Sequence, residues 1–386
     1  MTATGIDTTA ARRPSGATRV IFIDLARALA VVFMLYGHTV DALLAPAYRS
    51  GRVFDIWQFQ RGLTSCLFLL LSGFAFSIAT TRHWASHLAP SPALLKRVRR
   101  FALFIFLGYA IRFPVPSLFG LGHATDAEWR QLIGVDVLQL IGVTFLAVQA
   151  LVMISRSRRV FSALAVTLAL ALTMMAPWAW SSDWSQGTPA WLAAYLSPNS
   201  GSLFPLVPWS AFVLAGAALG QIYARWGATH HVRYANRALL IPGVVLLIAA
   251  IWLTQYQVEL FGNTPHSYVP GNILLRAGVC LVIVGLIAHA SRGIGQLPHV
   301  FGAVAQESLL IYVLHLGIVF GSVWAPGLMN IYGVTRTPVQ LVPIVLLLIA
   351  TMTLAAYGWN WLKHTHRTLA WWTMAAVVSG MLVRLL

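Results

Sequence analysis

The sequence predicts an all-α polytopic membrane helix bundle with about 10–11 transmembrane helices. Of its 386 residues, 58% are hydrophobic and 9% are charged, whereas soluble domains carry roughly 25% charged residues. The mean hydropathy of +0.75 and the 15 tryptophans fit a chain that is solvated by lipid, because a soluble globule has too little interior to bury so many apolar groups. These values exclude an ordinary soluble enzyme.

Apolar segments long enough to cross a bilayer, which needs about 20 helical residues, recur along the chain. The eleven candidates are residues 20–44, 62–80, 100–113, 131–154, 160–180, 204–224, 238–256, 272–290, 301–324, 338–361 and 369–385. The third is short and ends at Pro114 and Pro116, so we expect its outer part to be broken or re-entrant. We expect residues 1–18 to be a disordered tail and residues 19–386 to form a single transmembrane domain.

The formal charge of +16 indicates orientation and not nucleic-acid binding. Most of the 26 lysines and arginines lie in segments on the same side as the N-terminus, including the run KRVRR at 96–100. Cytoplasmic loops carry an excess of basic residues, so the N-terminus is predicted to be cytoplasmic, in the inner (plasma) membrane. The two cysteines, Cys66 and Cys280, lie in apolar runs without metal-site spacing, and no metal is expected.

Helix 1 carries two ionisable pairs, which are costly inside a membrane and therefore indicate an internal pair, a cavity or a site. Asp24 and Arg27 lie three residues apart near the inner end, and His38 and Asp41 lie three apart near the outer end. The first pair is interpreted either as a structural ion pair or as a cofactor contact. The second is interpreted either as a general base oriented by a carboxylate or as a polar cap exposed to outer water.

Polar residues also interrupt later helices. His315 lies in the run QESLLIYVLHLG (306–317) at a depth similar to that of the helix-1 histidine, so the two histidines are predicted to converge. Asp136 with Gln139, and Asn272 with Arg276, lie near predicted outer helix ends. Arg276 is expected either to hold a carboxylate, phosphate or pantetheine carbonyl or to extend to the interface.

Four segments in order resemble a known family. The first is RVIFIDLARALAVVFMLYGHTVDAL (19–43), which looks like the first helix of the transmembrane acyltransferase superfamily. The others are VDVLQLIGVTFL (135–146), LFPLVPWSAFVLAGAALG (203–220) and ESLLIYVLH (307–315). Together they resemble the catalytic domain of heparan-alpha-glucosaminide N-acetyltransferase and its bacterial relatives.

The resemblance implies acetyl transfer across a membrane, from cytosolic acetyl-CoA to an amino sugar or other hydroxyl- or amine-bearing glycan on the outer side. It also implies that His38 corresponds to the helix-1 histidine of the transmembrane acyltransferase superfamily, at a position where the human-type enzyme is expected to have asparagine. By the same similarity, Asp24, Arg27, Asp136 and Gln139 correspond to motif residues expected to bind the donor.

The expected mechanism has His38 as the general base, Asp41 as the group that orients its ring, and His315 or Arg276 as the group that stabilises the oxyanion. A covalent acetyl-His38 intermediate is an open alternative. Two other classes also stay open: a transporter or flippase with a path lined by His, Asp and Arg, and a scaffold without activity. The exact identity of the acceptor and the oligomeric state are not predicted.

Overall fold

The computed structural model describes residues 20–184, 186–262 and 269–385, and helices account for nearly all of its secondary structure. The predicted tail at 1–18 lies outside the described residues. The helices are α1 Ile21–Leu43, α2 Arg52–Arg82, α3 Pro92–Ile111, α4 Asp126–Ile133, α5 Val137–Ser155, α6 Arg158–Ser181, α7 Ala190–Leu196, α8 Leu206–Ile222, α9 His231–Tyr234, α10 Ile241–Gln255, α11 Gln257–Phe261, α12 Pro270–Ala290, α13 His299–Gln306, α14 Ser308–Val319, α15 Leu328–Tyr332, α16 Pro338–Thr365 and α17 Arg367–Leu385. A short antiparallel hairpin, β1 Gly321–Ser322 and β2 Ala325–Pro326, follows α14.

Within the described residues, nine helices are long and apolar enough to cross a membrane, and the bent pair α13–α14 gives a tenth candidate span. This confirms the all-α polytopic membrane bundle. Burial distinguishes central from peripheral helices. In the most apolar 18-residue stretch of the span that begins at Leu206, 72% of the residues are buried, whereas in the corresponding stretch of α17 only 6% are buried. The helices α10, α16 and α17 therefore present most of their apolar side chains outward, as lipid-facing helices do.

The third helix begins earlier than the sequence predicts. It starts at Pro92, with Ser91 as its N-cap, so the basic run at 96–100 is helical and does not end a loop. The guanidinium of Arg97 packs 4.9 Å from the Phe76 ring centroid and donates to Thr80 and Gln149. These contacts join α3 to α2 and α5 at their predicted inner ends.

Two other predicted spans are interrupted. The segment at 131–154 is divided at Gly134, where α4 ends, and α5 starts only after Asp136. The segment at 301–324 is divided at Glu307 into α13 and α14, which are bent by 72°. The buried Glu307 carboxylate is paired with Lys363 of α16 at 2.6 Å and accepts from Asn360 at 2.9 Å. A buried carboxylate is costly unless a positive charge pairs with it. The break between α13 and α14 therefore lies at a residue that forms an ion pair with another helix.

The close approach of α2 and α8 depends on glycine. A methyl group at Gly216 would overlap the carbonyl oxygen of Leu70, and one at Gly73 would overlap the carbonyl oxygen of Val213. Small residues let two helix backbones approach closely in membranes, where the hydrophobic effect does not drive helices together. This contact fixes the spacing between two walls of the cavity described below.

The predicted orientation can be tested on the two sides of α3, at Ala89 just before it and at Ala127 in α4. We expect Ala127→Cys to react with a membrane-impermeant maleimide in intact cells and Ala89→Cys to react only after permeabilisation, since both positions are exposed. Background labelling should be low because Cys66 and Cys280 are fully buried. Equal labelling of both variants in intact cells would contradict the orientation, or show that α3 does not cross.

Candidate active site

A cavity of about 820 Å³ opens among the C-terminal half of α1, α2, α14 and the loops that join the helix ends. This volume lies within the roughly 300–1,000 Å³ range of small-molecule sites. Its polar lining residues are His38, Asp41, Arg61, Thr64, Ser65, Gln131, Asp136, Trp209, Tyr312, Ser322 and Asn330. Its aromatic and aliphatic lining includes Phe33, Phe68, Phe113, Phe204, Leu316 and Phe320. The cavity therefore combines an apolar body with a few polar groups, as ligand sites do.

His38 and His315 meet at the wall of this cavity. The distance from Nδ1 of His38 to Nε2 of His315 is 2.8 Å, and their ring planes lie within 10° of each other. His315 is fully buried, and its Nδ1 lies 2.8 Å from the carbonyl oxygen of Ile311. The predicted convergence of the two histidines is confirmed.

The hydrogen-bond chain assigns the proton on each neutral ring. A backbone carbonyl only accepts, so Nδ1 of His315 carries the proton and Nε2 of His315 is an acceptor. His38 must then donate from Nδ1, which leaves an unprotonated Nε2. Because His38 lines the cavity and its Nδ1 edge is turned toward His315, Nε2 is the nitrogen available to a molecule in the cavity.

The structure gives Asp41 a different partner from the one that its spacing suggested. Asp41 forms an ion pair with Arg61 of α2, and no hydrogen bond joins Asp41 to His38 within the described residues. The sequence spacing places Asp41 one turn after His38 but does not fix which neighbouring helix supplies the nearest cation. His315, and not Asp41, therefore orients the His38 ring.

Asp136 and Gln139 have separate surroundings. Asp136 is the N-cap of α5 and accepts from the Val137 amide at 2.7 Å, while the Gln139 side chain accepts from the Asp136 amide at 3.2 Å. This is a reciprocal capping box, which satisfies backbone donors at a helix start. Asp136 lines the cavity and Arg112 lies 3.9 Å from it, but Gln139 is buried behind the wall, outside the lining set.

Asp24 and Arg27 lie away from the cavity. Arg27 is close enough to Asp24 for electrostatic interaction and donates to the Ser308 hydroxyl at 3.3 Å, where α14 begins. Eleven residues of helix separate Arg27 from His38, a rise of about 16 Å toward the predicted cytoplasmic side. The Arg27 contact joins α1 to α14.

Arg276 also lies outside the described cavity lining. Its guanidinium carbon lies 5.3 Å from the centroid of the Phe59 ring, and Nη1 lies 3.5 Å from the Phe59 carbonyl oxygen. A methyl group at Gly62 would overlap this guanidinium. Arg276 therefore packs over the α2 backbone and is placed to join α12 to α2.

Arg61 lines the cavity beside the histidine pair and was not among the site residues predicted from the sequence. The predicted span began at residue 62, whereas α2 starts at Arg52 and so includes Arg61. The residues RVFDIWQFQR (52–61) contain no proline or glycine that would end a helix, and this was the available signal. Tyr312 is another lining residue that was not predicted as a site residue; it packs edge-on to His315, with ring centroids 5.7 Å apart.

Comparison with protein families gives the decisive observation. The sequence model of the family described as heparan-alpha-glucosaminide N-acetyltransferase, catalytic, matches residues 19–247, which is more than half of the chain. The chain belongs to this family. No curated protein matches the chain at a significant level.

Membership of the heparan-alpha-glucosaminide N-acetyltransferase catalytic family indicates a transmembrane acetyltransferase. The matched stretch includes His38, Arg61 and Asp136 but ends before α14, which supplies His315. The histidine pair therefore joins the matched part of the chain to a helix outside it.

Proposed function

We propose that this protein transfers an acetyl group from acetyl-CoA to an amino sugar or a hydroxyl-bearing glycan, with His38 as the general base. The observation that supports this proposal is the hydrogen-bond chain from the Ile311 carbonyl through His315 to His38. It leaves the unprotonated Nε2 of His38 available to a cavity of substrate size.

In the proposed reaction, Nε2 of His38 removes the proton from an acceptor N–H or O–H as the acceptor attacks the thioester carbonyl carbon. The imidazolium that forms keeps its Nδ1–H directed at Nε2 of His315, which accepts that hydrogen bond. His38 then returns the proton to the departing CoA thiolate. Direct transfer is proposed, and label trapped on the protein from acetyl-CoA without acceptor would contradict it in favour of acetyl-His38.

The donor is proposed to enter from the cytosol and the acceptor from the opposite side of the plasma membrane. The basic segments support a cytoplasmic N-terminus, and the cavity lies among residues of the C-terminal half of α1, toward the predicted outer side. A donor that enters from the cytosol would pass the Asp24 and Arg27 level before its thioester reaches His38.

The test is acetyl transfer by the purified protein in proteoliposomes supplied with acetyl-CoA labelled in the acetyl group. Glucosamine and N-acetylglucosamine are the two acceptor probes, because the first offers an amine and the second offers hydroxyl groups only. Transfer to either probe, absent from empty liposomes, supports the proposal. Absence of both transfer and CoA binding at millimolar CoA would contradict it and favour a transporter or scaffold.

His315 is expected to act through His38. His315→Phe keeps an aromatic ring of similar size but removes the acceptor for Nδ1 of His38, so kcat should fall by about 10²-fold while KM for acetyl-CoA stays unchanged. His315→Gln, whose amide oxygen accepts a hydrogen bond, should restore part of the loss. Equal activity of the Phe variant and the wild type would exclude the positioning role.

A further inference from the structure

Arg61 stands out because it is the one cation among the described residues that line the cavity. Its side chain keeps 40% of its surface exposed. A methyl group added at Gly37, the residue before His38, would lie 3.6 Å from Cγ of Arg61. The aliphatic part of the Arg61 side chain therefore runs along the turn of α1 that carries His38. Arg61 and His38 are close enough for electrostatic interaction.

The hydrogen-bonding capacity of Arg61 is largely unused. Nη2 donates to Asp41, and the buried Nε has no partner among the described residues. A guanidinium has five N–H donors in a planar fork, and a buried donor without a partner needs an explanation. The ion pair with Asp41 uses the Nη2 side of the guanidinium. The other N–H groups of Arg61 are left to donate to an oxygen atom of a bound molecule.

We infer that Arg61 is a catalytic residue that donates to the thioester carbonyl oxygen of the acetyl donor, and that Asp41 positions it. This inference rests on the proposed function and adds the group that stabilises the charge. It replaces the expectation that His315 or Arg276 has this role, since His315 bonds His38 through Nε2 and Arg276 packs over α2.

Arg61 acts when the acceptor adds to the thioester. The acceptor nitrogen or oxygen forms a bond to the carbonyl carbon, and the π electron pair of the carbonyl moves to its oxygen, where the N–H donors of Arg61 stabilise the negative charge. The acceptor proton passes to Nε2 of His38. When the carbonyl re-forms, the carbon–sulfur bond breaks, and the CoA thiolate takes the proton from His38.

The variants Arg61→Met, Asp41→Asn and the double variant Asp41→Asn/Arg61→Met test this role. We expect Arg61→Met to lower kcat by about 10²-fold or more, with the affinity for acetyl-CoA nearly unchanged, because the lost donor acts mainly in the transition state. Asp41→Asn should lower kcat less, because the guanidinium is still present. The double variant should be as slow as Arg61→Met.

A structural role predicts a different pattern. If Arg61 served only to neutralise Asp41, removing both charges would restore activity, and that recovery would overturn the inference. The double variant also avoids leaving the partly buried Asp41 carboxylate without its cation, so it keeps the test valid if Arg61→Met alone fails to fold.

Arg336→Met is the matched control. Its guanidinium lies 4.4 Å from the Tyr332 ring centroid and outside the cavity lining, so activity should stay near that of the wild type. A loss equal to that of Arg61→Met would overturn the inference. If the wild-type protein transfers acetyl groups and Arg61→Met is equally active, the inference about Arg61 fails but the proposed function stands. If the wild-type protein is inactive, the proposed function itself fails.

Discussion

His38→Gln should lower the rate of acetyl transfer by about 10²- to 10⁴-fold, the contribution typical of a general base. Glutamine retains polar groups and approximate size, but its amide does not accept a proton at neutral pH. The hydrogen-bond chain through His315 therefore ends without a basic nitrogen at the cavity. Initial rates in proteoliposomes at saturating acetyl-CoA, together with CoA binding, would measure the loss separately from any effect on donor affinity.

His289→Gln is the matched control for this substitution. His289 is another histidine within a predicted span, and its Nε2 lies 2.7 Å from Oδ1 of Asn236, away from the cavity lining. We expect its variant to retain nearly full activity. A folded His38→Gln protein with wild-type rates would exclude His38 as the base.

Gly216→Val should destabilise the folded protein by at least about 3 kcal/mol, the upper end of the cost of overpacking. The added side chain would overlap the backbone carbonyl of Leu70, and backbone does not move aside as a flexible side chain does. The helices α2 and α8 would have to separate. Loss of the monodisperse peak in detergent and a lowered thermal unfolding temperature would report this effect.

Gly358→Val provides the comparison at a lipid-facing site. A methyl group at Gly358 in α16 would meet nothing within 4 Å, so its replacement should change stability by no more than about 0.5 kcal/mol. If both glycine variants behaved alike, close packing of α2 on α8 would not be what stabilises the bundle.

The helical membrane architecture could be predicted from the sequence because it depends on segment length and hydropathy, which are local properties. The breaks at Gly134 and Glu307 were not predicted. At Glu307 apolar residues continue on either side, and the residue that pairs with it, Lys363, lies on another helix. Long-range ion pairs of this kind leave no periodic signal in the sequence.

For the candidate site too, properties within one helix could be predicted from the sequence, but contacts between helices could not. The depth of His38 and His315 within their helices indicated that they converge, since depth follows from counting residues. The partner of Asp41 depends instead on how α2 is rotated and where it begins, and a sequence count that started the helix at residue 62 placed Arg61 outside it. Rotation of one helix against another is set by packing of the whole bundle.

The pairing of His38 with His315 joins residues 277 positions apart in the chain. During synthesis, α1 enters the membrane long before α14 exists, and until then the ring of His38 has no acceptor for its Nδ1–H. A partly inserted chain therefore contains the histidine but not an oriented base. The proposed base is therefore complete only after α14 has been added to the bundle.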